Sequence, residues 1–132
     1  MPITFDSLVP LLHVFDMQAS LRFYCDILGF SIVSTSTPVT NFYWALLKRG
    51  DLTLMLNTAY EEDERPATPD PVRFAAHSDT ALYFSCDNPR QVCDYLRDHD
   101  WPAHEPNITH YGMTQVYTRD PDGYQICFQS PT

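Results

Sequence analysis

His13-Val14-Phe15-Asp16, followed by the helix-like run Ala19–Leu28 and by Gly29-Phe30, decides the fold, because the same plan returns about 71 residues later. There Phe84-Ser85-Cys86-Asp87 precedes the run Arg90–Asp98 and then Trp101-Pro102. At that shift Leu21 falls on Val92, Tyr24 on Tyr95 and Phe30 on Trp101. Farther along, Gly50-Asp51-Leu52-Thr53-Leu54-Met55-Leu56 lines up with Asp122-Gly123-Tyr124-Gln125-Ile126-Cys127-Phe128. Two copies of a strand–helix–three-strand unit account for this pattern better than one irregular domain. Two sheets related by a pseudo-twofold can close around one cleft, and a cleft is where a small ligand would sit.

Working outward, Leu8–Phe15 reads as a strand and Asp16 as the N-cap of a helix from Met17 to Leu28. Leu21, Tyr24, Cys25 and Leu28 recur at spacings of three and four and give that helix one buried stripe. Gly29 suits a left-handed C-cap. Strands follow at Phe30–Thr35, Asn41–Lys48 and Leu52–Asn57, the last two joined by a tight turn at Arg49-Gly50-Asp51. In the second copy Thr80–Cys86 is a strand and Asn88–Asp98 a helix, with Pro89 in the first turn. Trp101–Pro106 reads as an edge strand broken by proline, and Met113–Arg119 with Tyr124–Gln129 as a hairpin around Asp120-Pro121-Asp122-Gly123. The chain is thus expected to be a single domain, 1–132, of two modules, 1–58 and 79–132. Residues 59–78, with Glu61-Glu62-Asp63-Glu64 and three prolines, form a solvated linker long enough to let modules exchange between subunits.

The composition excludes several classes. With 132 residues, 44 % hydrophobic, the chain can build a real core. A net charge of -9 with scattered Lys and Arg argues against nucleic acid and against an anionic membrane surface. No apolar run is long enough to span a membrane, and no secretion signal is evident. Cys25, Cys86, Cys93 and Cys127 form no C-x-x-C pair, so they are expected as small buried thiols in a reducing cytoplasm.

Strand alternation separates two faces. Leu52, Leu54 and Leu56 oppose Thr53, Met55 and Asn57. Tyr124, Ile126 and Phe128 oppose Gln125, Cys127 and Gln129. Leu82, Phe84 and Cys86 oppose Ala81, Tyr83 and Ser85. The apolar sets should pack on helices. The mixed sets should line the concave side, offering hydrogen bonds and aromatic bulk. A water-facing sheet without a ligand is the plainer alternative. His13 shares the face of Val9 and could orient a ligand, act as a general base, or serve only as a polar wall. Cys127 near His13 would suggest a thiolate nucleophile, although an inert thiol is the simpler expectation. Phe42, Trp44, Trp101 and Tyr117 add aromatic surface, His110 and Tyr111 lie on a loop over the cleft mouth, and His77, His99 and His104 are expected to be solvated.

The opening Val9-Pro10-Leu11-Leu12-His13-Val14-Phe15-Asp16 with Ser20, Phe23-Tyr24, Asp26 and Leu28-Gly29-Phe30, and the closing Arg119-Asp120-Pro121-Asp122-Gly123-Tyr124 with Ile126 and Phe128, resemble the vicinal oxygen chelate superfamily of glyoxalases, bleomycin-resistance proteins and extradiol dioxygenases. The resemblance implies an α+β fold of two tandem βαβββ modules forming a half-open barrel around a concave cleft, generally in a dimer. In members that do chemistry, four inward side chains hold a divalent metal that acts as a Lewis acid. The matching positions here are Val9, Met55, Ala81 and Cys127, which make no such set. The expectation is therefore a protein with no metal and no cofactor, leaning away from catalysis. It resembles the metal-free bleomycin-resistance-like members, which sequester a drug between subunits.

On this view the chain is a cytoplasmic homodimer binding an aromatic or cationic small molecule, the net charge favouring a cation. Tyr83, Trp44 and Tyr117 would stack on it. His13, Asn57, Gln125 and Gln129 would hydrogen-bond to it, with Thr53, Met55, Ser85 and Cys127 completing the lining. One alternative is a glyoxalase-like lyase or dioxygenase with a relocated metal site around His13, Cys127 and His110. Another is a structural or regulatory dimer with no small ligand.

Overall fold

The computed structural model describes all of residues 1–132. The chain divides into two compact units, Met1–Arg65 and Pro66–Thr132. The first contains β1 (Leu11–Val14), α1 (Met17–Leu21, running on as wider turns through Arg22–Ile27), β2 (Ser31–Thr35), β3 (Trp44–Arg49) and β4 (Leu52–Thr58). The second contains α2 (Pro71–Ala76), β5 (Ala81–Ser85), α3 (Pro89–Asp98), β6 (Asn107–Ile108), β7 (Met113–Arg119) and β8 (Gln125–Pro131). Their sheets run β1-β4-β3-β2 and β5-β8-β7-β6. In each, the first strand lies parallel to the last and the other pairs are antiparallel. This is the α+β, strand–helix–three-strand plan, built twice. No helix is long and apolar enough to cross a membrane.

The helix caps form as the sequence dictates. The Asp16 carboxylate accepts from the backbone N–H of Gln18 and Ala19, at 3.0 and 3.4 Å. Asn88 does the same for Gln91, with Pro89 at the first helical position. Beyond Leu21 the first helix widens, with Leu28 N–H donating to the Phe23 carbonyl. The widening turns adjacent Phe23 and Tyr24 both into the core, 1 % and 0 % exposed, with rings edge-to-face at 4.9 Å. Cys25 and Leu28, expected in an ideal stripe, are only half-buried.

The buried positions reset the phase of the repeat. Asp16 matches Asn88 as N-cap, and Met17, Leu21 and Tyr24 match Pro89, Cys93 and Leu96 as buried residues, every pair 72 apart. The expected pairing of Leu21 with Val92 and Tyr24 with Tyr95 is one residue out. Tyr95 instead points outward, 42 % exposed, with its ring tilted against that of His99. The slip came from matching Asp16 to Asp87, when Asn88 is the residue that caps.

Two further expectations are corrected. Residues 101–106 form no strand; the fourth strand of the second sheet is the two-residue β6. Pro102 and Pro106 have no N–H to give a ladder. The segment is tied to β7 by single bonds, His104 N–H to the Tyr117 carbonyl and Trp101 Nε1–H to the Arg119 carbonyl, at 2.9 and 3.0 Å. Residues 59–78 are not a solvated linker throughout. Glu61-Glu62-Asp63-Glu64 is exposed, but α2 docks on the β7–β8 turn. Arg73 pairs with Asp122 at 2.7 Å, the Asp122 side chain being 2 % exposed. His77, expected in solvent, donates Nδ1–H to the Asp122 carbonyl at 2.7 Å and stacks on Tyr124 at 4.0 Å. Gly123 lies beneath α2 with φ +90°, and a Cβ there would stand 2.2 Å from the Phe74 carbonyl oxygen.

That docking generates two predictions. Gly123→Ala meets both the left-handed backbone and the Phe74 carbonyl, and should destabilise by roughly 2–4 kcal/mol in urea unfolding. Arg73→Met keeps the aliphatic stem but strips a buried carboxylate of its guanidinium, and should cost about 2–3 kcal/mol by the same measurement.

Candidate functional site

Each sheet has one face covered by its own helix and one face that is not. In the first, Leu12, Val14, Ala45, Leu47, Leu54 and Leu56 are buried beneath α1. The opposite face follows from the register. His13, Asn57 and Trp44 form one row, and Leu11, Met55 and Leu46 the next, with Thr53 beside Lys48 beyond them. The residues expected to bind a ligand from this module, His13, Trp44, Thr53, Met55 and Asn57, thus share one face of one sheet. A cavity of about 480 Å³ lies in this unit near the N-terminal end of α1, where Phe42 and Tyr60 line it. None of those five residues does.

In the second sheet Val116, Ile126 and Phe128 are buried towards α3. The other face carries three rows: Ser85, Gln129 and Gln115; then Tyr83, Cys127 and Tyr117; then Ala81, Gln125 and Arg119. The expected Tyr83, Ser85, Tyr117, Gln125, Cys127 and Gln129 all stand here. The polar groups of Tyr83, Tyr117 and Gln129 are joined through Gln115. The hydroxyls of Tyr83 and Tyr117 are 2.9 Å apart, and Tyr117 donates to Gln115 Oε1 at 3.2 Å. Gln115 Nε2 then donates to Gln129 Oε1 at 2.9 Å and to the Tyr111 hydroxyl at 3.2 Å. The chain of bonds fixes each donor direction, because Gln115 Oε1 can only accept.

Alternation in the sequence groups Met113, Gln115 and Tyr117 on one face without saying which way it points, and leaves Arg119 unassigned; the pairing with β8 puts both Gln115 and Arg119 on the face of Tyr117. Tyr111 enters from the loop before β7, as a hydrogen-bond partner and not only a cover. A cavity of about 800 Å³ adjoins this face along the β7 edge, lined among others by Phe74, Trp101, His104, Tyr117, Arg119 and Gln125. Here β6 is so short that β7 has no ladder partner beside Tyr117–Arg119 on the side away from β8. Of the expected ligand-binding residues, Tyr117 and Gln125 line it.

Apart from Arg119, the side chains of this face are neutral. The Tyr83 hydrogen bond, then burial, holds the Tyr117 hydroxyl well above the usual tyrosine range. Burial pushes the Cys127 thiol up, against a smaller opposing pull from the Tyr117 hydrogen bond. Cys127 is fully buried and stays a thiol at neutral pH, a poor nucleophile. Outside the face, Glu105 is held below the usual carboxylate range by hydrogen bonds to Arg97 and then Arg90, each 2.7 Å. The arrangement supplies donors, acceptors and rings for binding, but no activated acid or base.

Nor does the donor set suit a divalent metal. Val9 and Ala81 carry no donor and Met55 offers only a thioether. No group of three or more His, Cys, Asp or Glu side chains is placed to hold an ion. His110, a candidate for a relocated site, is exposed and packs its ring edge-to-face on Tyr111 at 5.1 Å.

Comparison with known proteins is consistent with this architecture. A bleomycin resistance determinant encoded on transposon Tn5 superposes with a TM-score of 0.70 at 22 % identity, covering 96 % of this chain and 98 % of that one. A bleomycin-binding protein complexed with bleomycin gives 0.69 at 21 %, covering 97 % and 100 %. TnmS3, an antibiotic binding protein from Streptomyces sp. CB03234, gives 0.69 at 19 %, covering 100 % and 99 %. At these identities the likeness is one of fold. No curated protein sequence matches the chain. The family model for the Glyoxalase/Bleomycin resistance protein/Dioxygenase superfamily, however, matches residues 5–128, and with nearly its whole length accounted for the chain belongs to that superfamily.

Proposed function

We propose that this protein binds a drug-sized aromatic compound without a metal and sequesters it without turning it over. The observation that carries this is the second module's uncovered face. There a closed network of neutral hydrogen-bonding groups, Tyr83–Tyr117–Gln115–Gln129, stands beside an open cavity of about 800 Å³. That volume lies in the range of small-molecule sites, and aromatic walls with a few polar groups are their usual lining. The bleomycin-binding and antibiotic-binding relatives of the same fold make a drug-like ligand the natural class. The buried neutral thiol and the missing metal donors favour binding over catalysis. Four free cysteines suit a reducing cytoplasm, and a homodimer is the assembly the family suggests.

The test is calorimetric titration with bleomycin and a panel of aromatic antibiotics, in buffer with EDTA, followed by mass spectrometry of the recovered compound. Saturable binding in EDTA with the compound unchanged is expected. Binding lost on chelation, or a chemically altered compound, would overturn it. Tyr117→Phe removes the hydroxyl that links Tyr83 to Gln115. It should weaken the bound compound about tenfold while leaving the melting temperature within a few degrees.

A further inference from the structure

We propose that the cavity along the β7 edge takes a planar aromatic acid, with Arg119 as its counter-charge; the proposal rests on the binding function argued above and names the ligand class. Charge accounting inside the cavity carries it. Two carboxylates and one guanidinium line the space. Glu105 is already shared between Arg90 and Arg97 at 2.7 Å each. Asp120 is 2 % exposed and accepts from the backbone N–H groups of Asp122 and Tyr124, at 2.9 and 3.0 Å. Arg119 has no carboxylate partner. Its guanidinium lies over the Phe74 ring at 5.9 Å. Arg22, Lys48 and Arg49 also stand outside the ion pairs, but none of them lines either of the two cavities described above. The unanswered charge facing this space is therefore positive, in a chain whose net charge is -9.

The surroundings fit a flat ring. Trp101 is fixed by its Nε1–H to the backbone carbonyl of Arg119, which ties its ring to the same stretch of β7. Arg119 sits in β7, paired to Gln125, which anchors its backbone. Gln125 is held in turn by its Nε2–H to the Ser78 carbonyl at 2.9 Å. A guanidinium presents two parallel N–H groups to one carboxylate, and Trp101, Phe74 and Tyr117 give a ring faces to pack against.

The experiment compares three probes with one ring system by calorimetry: 2-naphthoate, 2-naphthylmethanol and 2-naphthylmethylammonium. Naphthoate should bind at least about tenfold tighter than the neutral alcohol, and the ammonium compound weakest. Arg119→Gln should bring naphthoate down to the alcohol's affinity and leave the alcohol within twofold, with circular dichroism unchanged. Equal or tighter binding of the ammonium probe, or no effect of Arg119→Gln on naphthoate, overturns the charge assignment alone. Binding of none of the three, nor of any compound in the antibiotic panel, overturns the binding function itself.

Discussion

In each module the first strand lies parallel beside the last, and a parallel pair cannot be closed by a turn. The chain must leave the sheet plane and return, and in both modules a helix makes that crossing. A helix that crosses covers one face of the sheet and leaves the other to something else. The six buried leucine, valine and alanine side chains of β1, β3 and β4 answer α1, and Val116, Ile126 and Phe128 answer α3. The mixed faces are what the crossover leaves uncovered. Their composition is mixed: beside Leu11, Leu46, Met55 and Cys127 they carry His13, Asn57, Gln115, Gln125 and Gln129. The topology thus creates the surface, and the alternating side chains decide what it can hold.

The two copies have used that surface differently. The first module's row of His13, Asn57 and Trp44 is aromatic at its β3 side, and its cavity lies elsewhere, against Phe42 and Tyr60. The second module's rows are cross-linked by hydrogen bonds from β5 through β7 to β8, and its cavity meets them. The cause is local. Prolines at 102 and 106 stop residues 101–106 from pairing with β7 as a full strand, so a few single hydrogen bonds hold them there, whereas β2 covers β3 along most of its length.

Much of this was legible in the sequence. Alternation in Leu52–Asn57, Thr80–Cys86 and Tyr124–Gln129 placed the faces, and Asp16, Gly29, Pro89 and Gly123 marked the ends and turns. The failures share a physical origin. The wide turns of α1 arise because Phe23 and Tyr24 both need burial, a demand of the core that no propensity carries. The docking of Arg73, Phe74 and His77 on the closing turn is a tertiary contact across about fifty residues, and the charge and proline run before it reads as solvent-loving. The one-residue slip in the repeat came from two adjacent capping types, Asp87 and Asn88, which only the hydrogen bond to Gln91 tells apart. Gln115 and Arg119 could have been found by extending alternation from Tyr117. The missing step was deciding which way β7 faces, and its pairing with β8 decides that.

Charge shows most plainly where reading by composition stops. A net charge of -9 suggests a cationic ligand, and at distances beyond the roughly 8–10 Å screening length even that preference fades. Inside a cavity the sum over the chain is irrelevant; what matters is which charges already have partners. Arg90 and Arg97 converge on Glu105, the backbone of the β7–β8 turn answers Asp120, and Arg73 answers Asp122. The ion pairs offset the charges of Arg73, Arg97 and Arg90, while the backbone bonds stabilise the Asp120 carboxylate without cancelling its charge. Arg119 remains, exposed at the end of β7, over the Phe74 ring and beside a cavity, without an ion-pair partner. An acidic protein can therefore still present an unpaired cation beside a cavity, because the carboxylates lining that cavity already have hydrogen-bond partners of their own.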